Sequence, residues 1–430
     1  MYDYVIVGSG LSGLNTARLL SEKYNNKKIC ILEKNKRIGG LIQTKHFAIT
    51  KKNKNIKNKT RKKKHKIKYE AGGAVLFDYQ KNMLNLVKKY NIKTKKISLD
   101  KKGRHNKNFY DGKKRKYPLG KNTMDKYYNL IKKVFSYMDN KSNSYCRKFT
   151  FEQICLQVIS FEETRFIEYC YGYSGEFRIG NAVISRKNIE NELFNSKHML
   201  FFKDGYSNIV KSLHNSIKNK VKIKKATMLK KFSNKKDIYY LELDNGTILK
   251  TKNLILAIPK EALKKLCSSF TSNELSLFDS VGSSSLTRIF AKYNMNYKKN
   301  NWVKNINFST IKNPIRQMIP TSKKNGIIQY YSDWYFADYW GSLNNNKTID
   351  ILTNMLQETM YNKISKPQSI KKHYWKNAVH FWKSNINEKK ICKEIMFLRK
   401  NVFIVGESFS LNQGWGEGAI QTSIELVKKL

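Results

Sequence analysis

The opening of the chain constrains it most. Tyr2–Val7 is a short apolar run that leads into Gly8-Ser9-Gly10-Leu11-Ser12-Gly13, and Leu14–Leu20 continues at helical spacing. A second apolar run, Ile29–Leu32, ends in Glu33. Strand, glycine turn, helix and strand, with an acid closing the second strand, make a dinucleotide-binding βαβ unit. Each glycine has its own expected task. Gly8 permits the tight turn, Gly10 lets the backbone approach a pyrophosphate, and Gly13 lets helix and strand pack closely. The helix N-terminus offers free N–H groups and a positive dipole end to phosphates. Glu33 is placed to accept hydrogen bonds from ribose hydroxyls. NAD and FAD both satisfy this unit.

The next segment separates them. Arg37 follows Glu33 by four residues, the pair Gly39-Gly40 comes next, and then Thr44. This resembles the second half of the FAD fingerprint in the flavin-containing amine oxidase superfamily. The resemblance continues along the chain in Glu70-Ala71-Gly72-Gly73-Ala74, in Asp204-Gly205-Tyr206 and in Leu254-Ile255-Leu256-Ala257-Ile258-Pro259. It ends in Phe403-Ile404-Val405-Gly406-Glu407 and in Gly414-Trp415-Gly416-Glu417-Gly418-Ala419, the most specific pattern of the set. The resemblance implies FAD, with Arg37, Gly39 and Gly40 closing on the pyrophosphate and Gly73 and Ala74 passing along the flavin. It also implies Glu407 at a ribityl hydroxyl. Gly418 and Ala419 would open a helix whose N-terminus faces the flavin pyrimidine edge, where negative charge builds on reduction.

In the family's amine oxidases the substrate passes between aromatic side chains in front of the flavin. Trp415 stands at one of those positions. The other falls in Tyr374–Trp382, where His380 is the expected counterpart, with Phe381 and Trp382 as alternatives. Arg288 occupies the place of a family Lys that holds a water at the flavin. Arginine stays charged and binds anions in a fixed fork, so it is a poor proton shuttle. Leu41 follows Gly39-Gly40 where many members carry Arg. Val379 stands where members with covalent flavin have Cys, so noncovalent FAD is expected. The implied reaction is oxidation of a C–N bond in an amine, with oxygen as acceptor. Arg288 and Leu41 keep one rival open, and the net charge of +52 keeps open a second. One is an FAD enzyme of the protoporphyrinogen oxidase, carotenoid desaturase or isomerase, or UDP-galactopyranose mutase type. The other is a non-catalytic basic flavoprotein that coats nucleic acid.

The expected fold class is α/β, with an α+β substrate part. A doubly wound Rossmann-like FAD domain would be assembled from 1–80, 200–285 and 395–430, with an inserted substrate domain from 81–199 and 286–394. Residues 81 to about 200 read as mostly helical. The 45–68 segment is basic and reads as an exposed loop or hairpin. The formal net charge of +52 includes runs such as Lys51–Lys68 and Lys113–Lys116. It means either attraction to nucleic acid or another polyanion, or a compositional drift toward Lys and Asn in solvated loops. Six scattered cysteines without a C-x-x-C fit reduced thiols in the cytoplasm. No apolar run approaches the roughly 20 residues of a membrane span. The histidines lack metal-ligand spacing, so no metal is expected.

Overall fold

A computed structural model describes residues 1–53, 61–99, 108–110, 116–117, 121–297, 300–360 and 364–430. Tyr2–Val7 and Ile29–Glu33 form parallel neighbours, with Val5 beside Cys30, and the helix Leu11–Lys23 crosses between them. Both strands are covered on two faces. That is why they read as continuous apolar runs rather than alternating ones.

Five more strands complete the first sheet. Its order is Val221–Lys225, Ile29–Glu33, Tyr2–Val7, Ile248–Leu256, Ile238–Leu243, Leu229–Lys235, and Val402–Ile404 also pairs with Ile248–Leu256. The long strand Ile248–Leu256 works in two halves. Leu249 pairs antiparallel with Leu241, whereas Leu254 lies parallel between Val5 and Val402. A tight turn at Asn245-Gly246 joins the antiparallel pair. The first and last helices pack together on this sheet: Asn15 Nδ2 donates to Ser423 Oγ at 2.6 Å, and the Tyr24 hydroxyl donates to the Leu430 carbonyl at 2.7 Å. The α/β reading of the fold class holds.

A second sheet, mostly antiparallel, runs Ser369–Trp382, Val281–Lys292, Ile327–Asp333, Gln317–Ser322, Ser309–Ile311, Asn108–Tyr110, Lys116–Tyr117. Beside it stands a helical cluster from residues 121–195 with its own core, including Phe151, Ile154, Ile167 and Phe177. Capping boxes at Thr150/Gln153 and Ser160/Glu163 fix where two of these helices start. The helical expectation for 81–200 misses Thr94–Ser98, an edge strand against His198–Phe202. Four of its five residues are exposed, so no apolar alternation announces it.

The basic segment is a hairpin. Thr44–Asn53 pairs with Arg61–Glu70, while the 54–60 part and residues 113–115 of the second basic run lie outside the described residues. Its root is not solvated: Phe47 and Tyr69 are buried against Phe290 and Ile327. The Glu70 carboxylate accepts from the Thr44 hydroxyl at 2.8 Å and the Tyr206 N–H at 3.0 Å, tying the hairpin to the turn that starts the helix Ser207–Ile217. No described helix is long and apolar enough to cross a membrane.

Candidate active site

One cleft of about 760 Å³ is lined by both ends of the chain: Gly8–Ser12 from the opening turn, and Gly414–Gly416 with Ala419 from the closing one. The glycines of the opening turn divide by what faces them. Gly8 sits at φ +102°, and a Cβ there would lie 2.5 Å from the Ala257 carbonyl oxygen. A Cβ on Gly13 would lie 2.0 Å from the Gly8 carbonyl oxygen. At those two positions the chain itself fills the space. A Cβ on Gly10 would meet nothing within 4 Å. That opening faces the cleft and leaves bare backbone for a bound group.

Charged groups around the cleft are fixed by the chain's own bonds. One oxygen of Glu33 accepts from the Ser9 N–H at 3.1 Å and the Ser9 hydroxyl at 2.6 Å. The other accepts from the Asn35 N–H at 2.8 Å and from Asn35 Nδ2 at 3.0 Å. At the closing end, one oxygen of Glu407 accepts from the backbone N–H groups of His380 at 3.0 Å and Gly414 at 2.7 Å. Its other oxygen lies 2.9 Å from His380 Nδ1, and His380 Nε2 lies 3.0 Å from Glu261. Burial alone would depress the imidazole's pKa. The Glu407 charge and the bonds to both carboxylates overcome it and hold the pKa at about 9. Glu261 is correspondingly held at about 2: burial raises it, but the bond to His380, the imidazolium charge and the bonds from Ser283 and the backbone together lower it more.

The flavin containing amine oxidoreductase family matches residues 11–428. The chain belongs to that family. A segment of 102 residues is 30% identical to horse (Equus caballus) amine oxidase [flavin-containing] A and covers 24% of this chain and 16% of that enzyme. A protein of Acanthamoeba polyphaga mimivirus is 22% identical over 99% of this chain and 93% of its own length. Among solved structures, a redesigned double mutant of putrescine oxidase matches with a TM-score of 0.74 at 11% identity, covering 100% of this chain and 98% of that one. FAD is the cofactor of this family fold, and the cleft fits it. The bare backbone at Gly10 suits a pyrophosphate, Glu33 is preset for a ribose, and residues from both chain ends line one continuous space.

Within the family frame, the expected site residues fall into three groups. Gly8, Gly10, Glu33, Arg37, Gly39, Gly40, Gly73, Ala74, Arg288, His380, Glu407, Trp415 and Ala419 all line the cleft. Gly13 supports it from behind, as expected of a packing glycine. Gly418 is a correction. A Cβ there would lie 2.1 Å from Ser410 Oγ and 2.4 Å from the Asn412 carbonyl, so it lets the 410–412 loop pack closely and does not face the cleft. The helix opens at Gly416, two residues before the expected start, and Gly416 is the glycine that lines the cleft. Glu417 turns away and accepts from the Asn82 and Met83 N–H groups at the start of the helix Lys81–Lys89. His380 needs a second correction. At 1% exposed and with both ring nitrogens on carboxylates, it is a buried strut between segments, not an open wall in front of a ring.

Arg288 projects from the strand Val281–Lys292 with its guanidinium 4.4 Å from the Tyr331 ring centroid. Trp415 meets Phe77 edge-on at 5.2 Å. Several cleft residues carry no motif and escape sequence reasoning. Thr227 donates its N–H to the Glu33 carbonyl at 2.9 Å and leads Met228, Leu229 and Lys230 along the cleft. The helical cluster and second sheet contribute Tyr173, Glu176, Glu192, Tyr331 and Asp333. Glu176 accepts from the Tyr171 hydroxyl at 2.7 Å and Asn188 Nδ2 at 2.6 Å. Burial pushes its pKa up to about 7 against those two bonds, and the Asp333 charge adds to the rise. Asp333 accepts from the Ser174 and Gly175 N–H groups at 2.9 and 2.7 Å. Burial raises its pKa too, opposed by these donors and by the Arg316 charge.

Proposed function

We propose that the protein oxidises an amine at its C–N bond, using noncovalent FAD and molecular oxygen. The observation that carries this is the acidic substrate wall. In a chain with a net charge of +52, the helical cluster and second sheet bring Glu176, Glu192 and Asp333 to one cleft. Buried carboxylates attract a cationic substrate and repel an anionic one. A diphosphate or a carboxylated ring system would meet repulsion here, which weighs against the mutase and porphyrinogen readings. Tyr173, Tyr331, Trp375, Phe381 and Trp415 supply aromatic surface that excludes water and packs on the alkyl part.

FAD held along the glycine turns and Glu33 would supply the hydride acceptor, with oxygen as the terminal oxidant. The chain's residues do the rest: the acidic wall holds the substrate nitrogen, and the glycine turns fix the cofactor beside it. Val379 lines the cleft where a covalent link would need a thiol, so the flavin is held by contacts alone. The surface charge adds nonspecific affinity for polyanions that rising salt removes.

The test is anaerobic titration of the purified yellow protein with alkylamines, diamines and amino acids while the visible flavin band is followed. Bleaching by at least one amine, with peroxide formed on readmission of air, is expected. A yellow protein that no amine bleaches sinks the amine assignment and leaves the family intact. Acid precipitation should leave the yellow colour in the supernatant; colour that stays in the pellet contradicts noncovalent binding.

A further inference from the structure

An alkylammonium cannot give up a hydride while its nitrogen is protonated, because the lone pair must be free to stabilise the cation that forms. The site therefore needs a group that takes one proton from the bound substrate. Arg288 is unsuited, since a guanidinium stays charged at any relevant pH. His380 is unsuited as well, being buried with both nitrogens on carboxylates. Asp333 is fastened by backbone N–H groups and faces the charge of buried Arg316.

Glu176 differs from all three. It lines the cleft, lies at the start of the short helix Gly175–Arg178, and is 5% exposed. Its two oxygens each accept one bond, from an uncharged phenol and an uncharged amide. Each oxygen keeps a second acceptor direction, and among the described residues no cation bonds to the carboxylate. The titratable groups around it are Tyr171 on the helix Phe161–Tyr171, Asp333 at the end of Ile327–Asp333, and Tyr79 after the strand Val75–Phe77. Tyr171 and Tyr79 are kept neutral, because burial pushes both phenols up. Asp333 is the neighbour that makes a second negative charge costly.

Resting on the amine assignment above, we propose that Glu176 is the proton acceptor for the substrate ammonium. One N–H bond of the substrate breaks, its electron pair stays on nitrogen as the lone pair, and an O–H bond forms on the Glu176 carboxylate. Nothing is oxidised in this step. An ion pair becomes a neutral acid and a neutral amine, which a buried site favours. A proton affinity near neutrality suits the task, because the group is ionised often enough to accept and basic enough to hold.

The experiment is rapid-mixing measurement of amine-driven flavin bleaching under nitrogen, as a function of pH, on the wild-type holoenzyme and Glu176→Gln. The wild-type rate should rise through about pH 7. The variant should keep its flavin spectrum and FAD content. Its bleaching should slow by about a hundredfold at neutral pH and recover toward about pH 10, where a free alkylamine supplies itself. A merely structural role would lower the rate equally at every pH, and that outcome overturns the proposal, as does an unchanged profile. Should Glu176→Gln fail to fold, the wild type alone decides. With a weakly basic amine, already neutral at about pH 7, the acidic limb should vanish, and its persistence overturns the proposal. If no amine bleaches the wild type, the amine assignment fails and this proposal falls with it. Bleaching of the wild type with a normal profile in the variant sinks this proposal alone.

Discussion

The two walls of the cleft are made of different material. The nucleotide wall is backbone: Gly8, Gly10, Gly39 and Gly40 expose amide groups, and its main acid, Glu33, has its orientation set by Ser9 and Asn35. The substrate wall is side chains, with carboxylates held under burial by a phenol, an amide and two backbone N–H groups. The first wall needs particular backbone geometry, and only glycine supplies it. The second needs particular charges, and many sequences could place them. The first is therefore rigid about residue identity, whereas the second, on the function proposed above, is where substrate preference would be set.

The sharpest way to break this comparison lies inside the glycine turn. Gly13→Ala drives a Cβ to 2.0 Å from the Gly8 carbonyl oxygen, backbone against side chain, where neither can swing away. A cost upward of about 3 kcal/mol is expected, with loss of soluble yellow protein. Gly10→Ala meets no protein atom within 4 Å. Its thermal midpoint without cofactor should match wild type, while FAD affinity drops by at least about tenfold, roughly 1.4 kcal/mol. Differential scanning calorimetry and flavin titration read the two quantities separately. If Gly10→Ala binds FAD normally, the space above it is not where the pyrophosphate lies.

Next in size is the strut where the walls meet. His380 links the strand Ser369–Trp382 to Glu261, on the helix Lys260–Lys264, and to Glu407 in the closing segment. His380→Leu leaves two carboxylates without their shared cation, and a loss of about 3 kcal/mol is expected. The pH dependence follows from the direction of each shift. His380 is raised from 6.5 to about 9 in the folded protein, so its contribution is full below pH 6.5 and disappears as pH climbs through about 9. Glu261 is depressed from 4.5 to about 2, so its share is present above pH 4.5 and lost as pH falls through about 2. This cluster therefore stabilises most between pH 4.5 and pH 6.5. Denaturant midpoints between pH 6.5 and 9 should fall in wild type and stay flat in His380→Leu; parallel slopes would remove the ion cluster from the account.

The same contrast explains what could be read in advance. The βαβ unit was legible because a tight turn, a bare approach and a close helix contact each demand glycine within six residues of chain. The FAD assignment was legible because similar local demands recur at Gly39-Gly40, Gly72-Gly73 and Gly414–Gly418. Gly418 shows where that logic slips. Sequence marks a glycine as required but not which neighbour requires it, and here the neighbour is the 410–412 loop. Glu176, Glu192 and Asp333 were illegible for a different reason. Glu176 and Glu192 sit on a short helix and a π-helical turn of the helical cluster, Asp333 on a strand end far along the chain, and only the packing of that cluster on the second sheet brings them to one cleft. His380 was found for its place in the chain and assigned the wrong job, because Glu261, which completes its clamp, lies 119 residues away.

The smallest expected effect falls on Arg288, at a position where the sequence resemblance implies a lysine. It lies on the strand facing Tyr331, and its guanidinium lies over that ring. If proton transfer from substrate were routed through this position, Arg288→Lys would restore a better shuttle and speed bleaching, and the pH profile would acquire a new limb. With Glu176 as acceptor, Arg288 contributes only positive charge and a flat surface over Tyr331. Lysine keeps the charge and loses the stacking plane, a change worth about 1 kcal/mol or less. Bleaching rates within about fivefold of wild type and a superimposable pH profile are therefore expected for Arg288→Lys. A tenfold gain, or a shifted acidic limb, would move the proton chemistry to this strand and leave the acidic wall as a binding surface only.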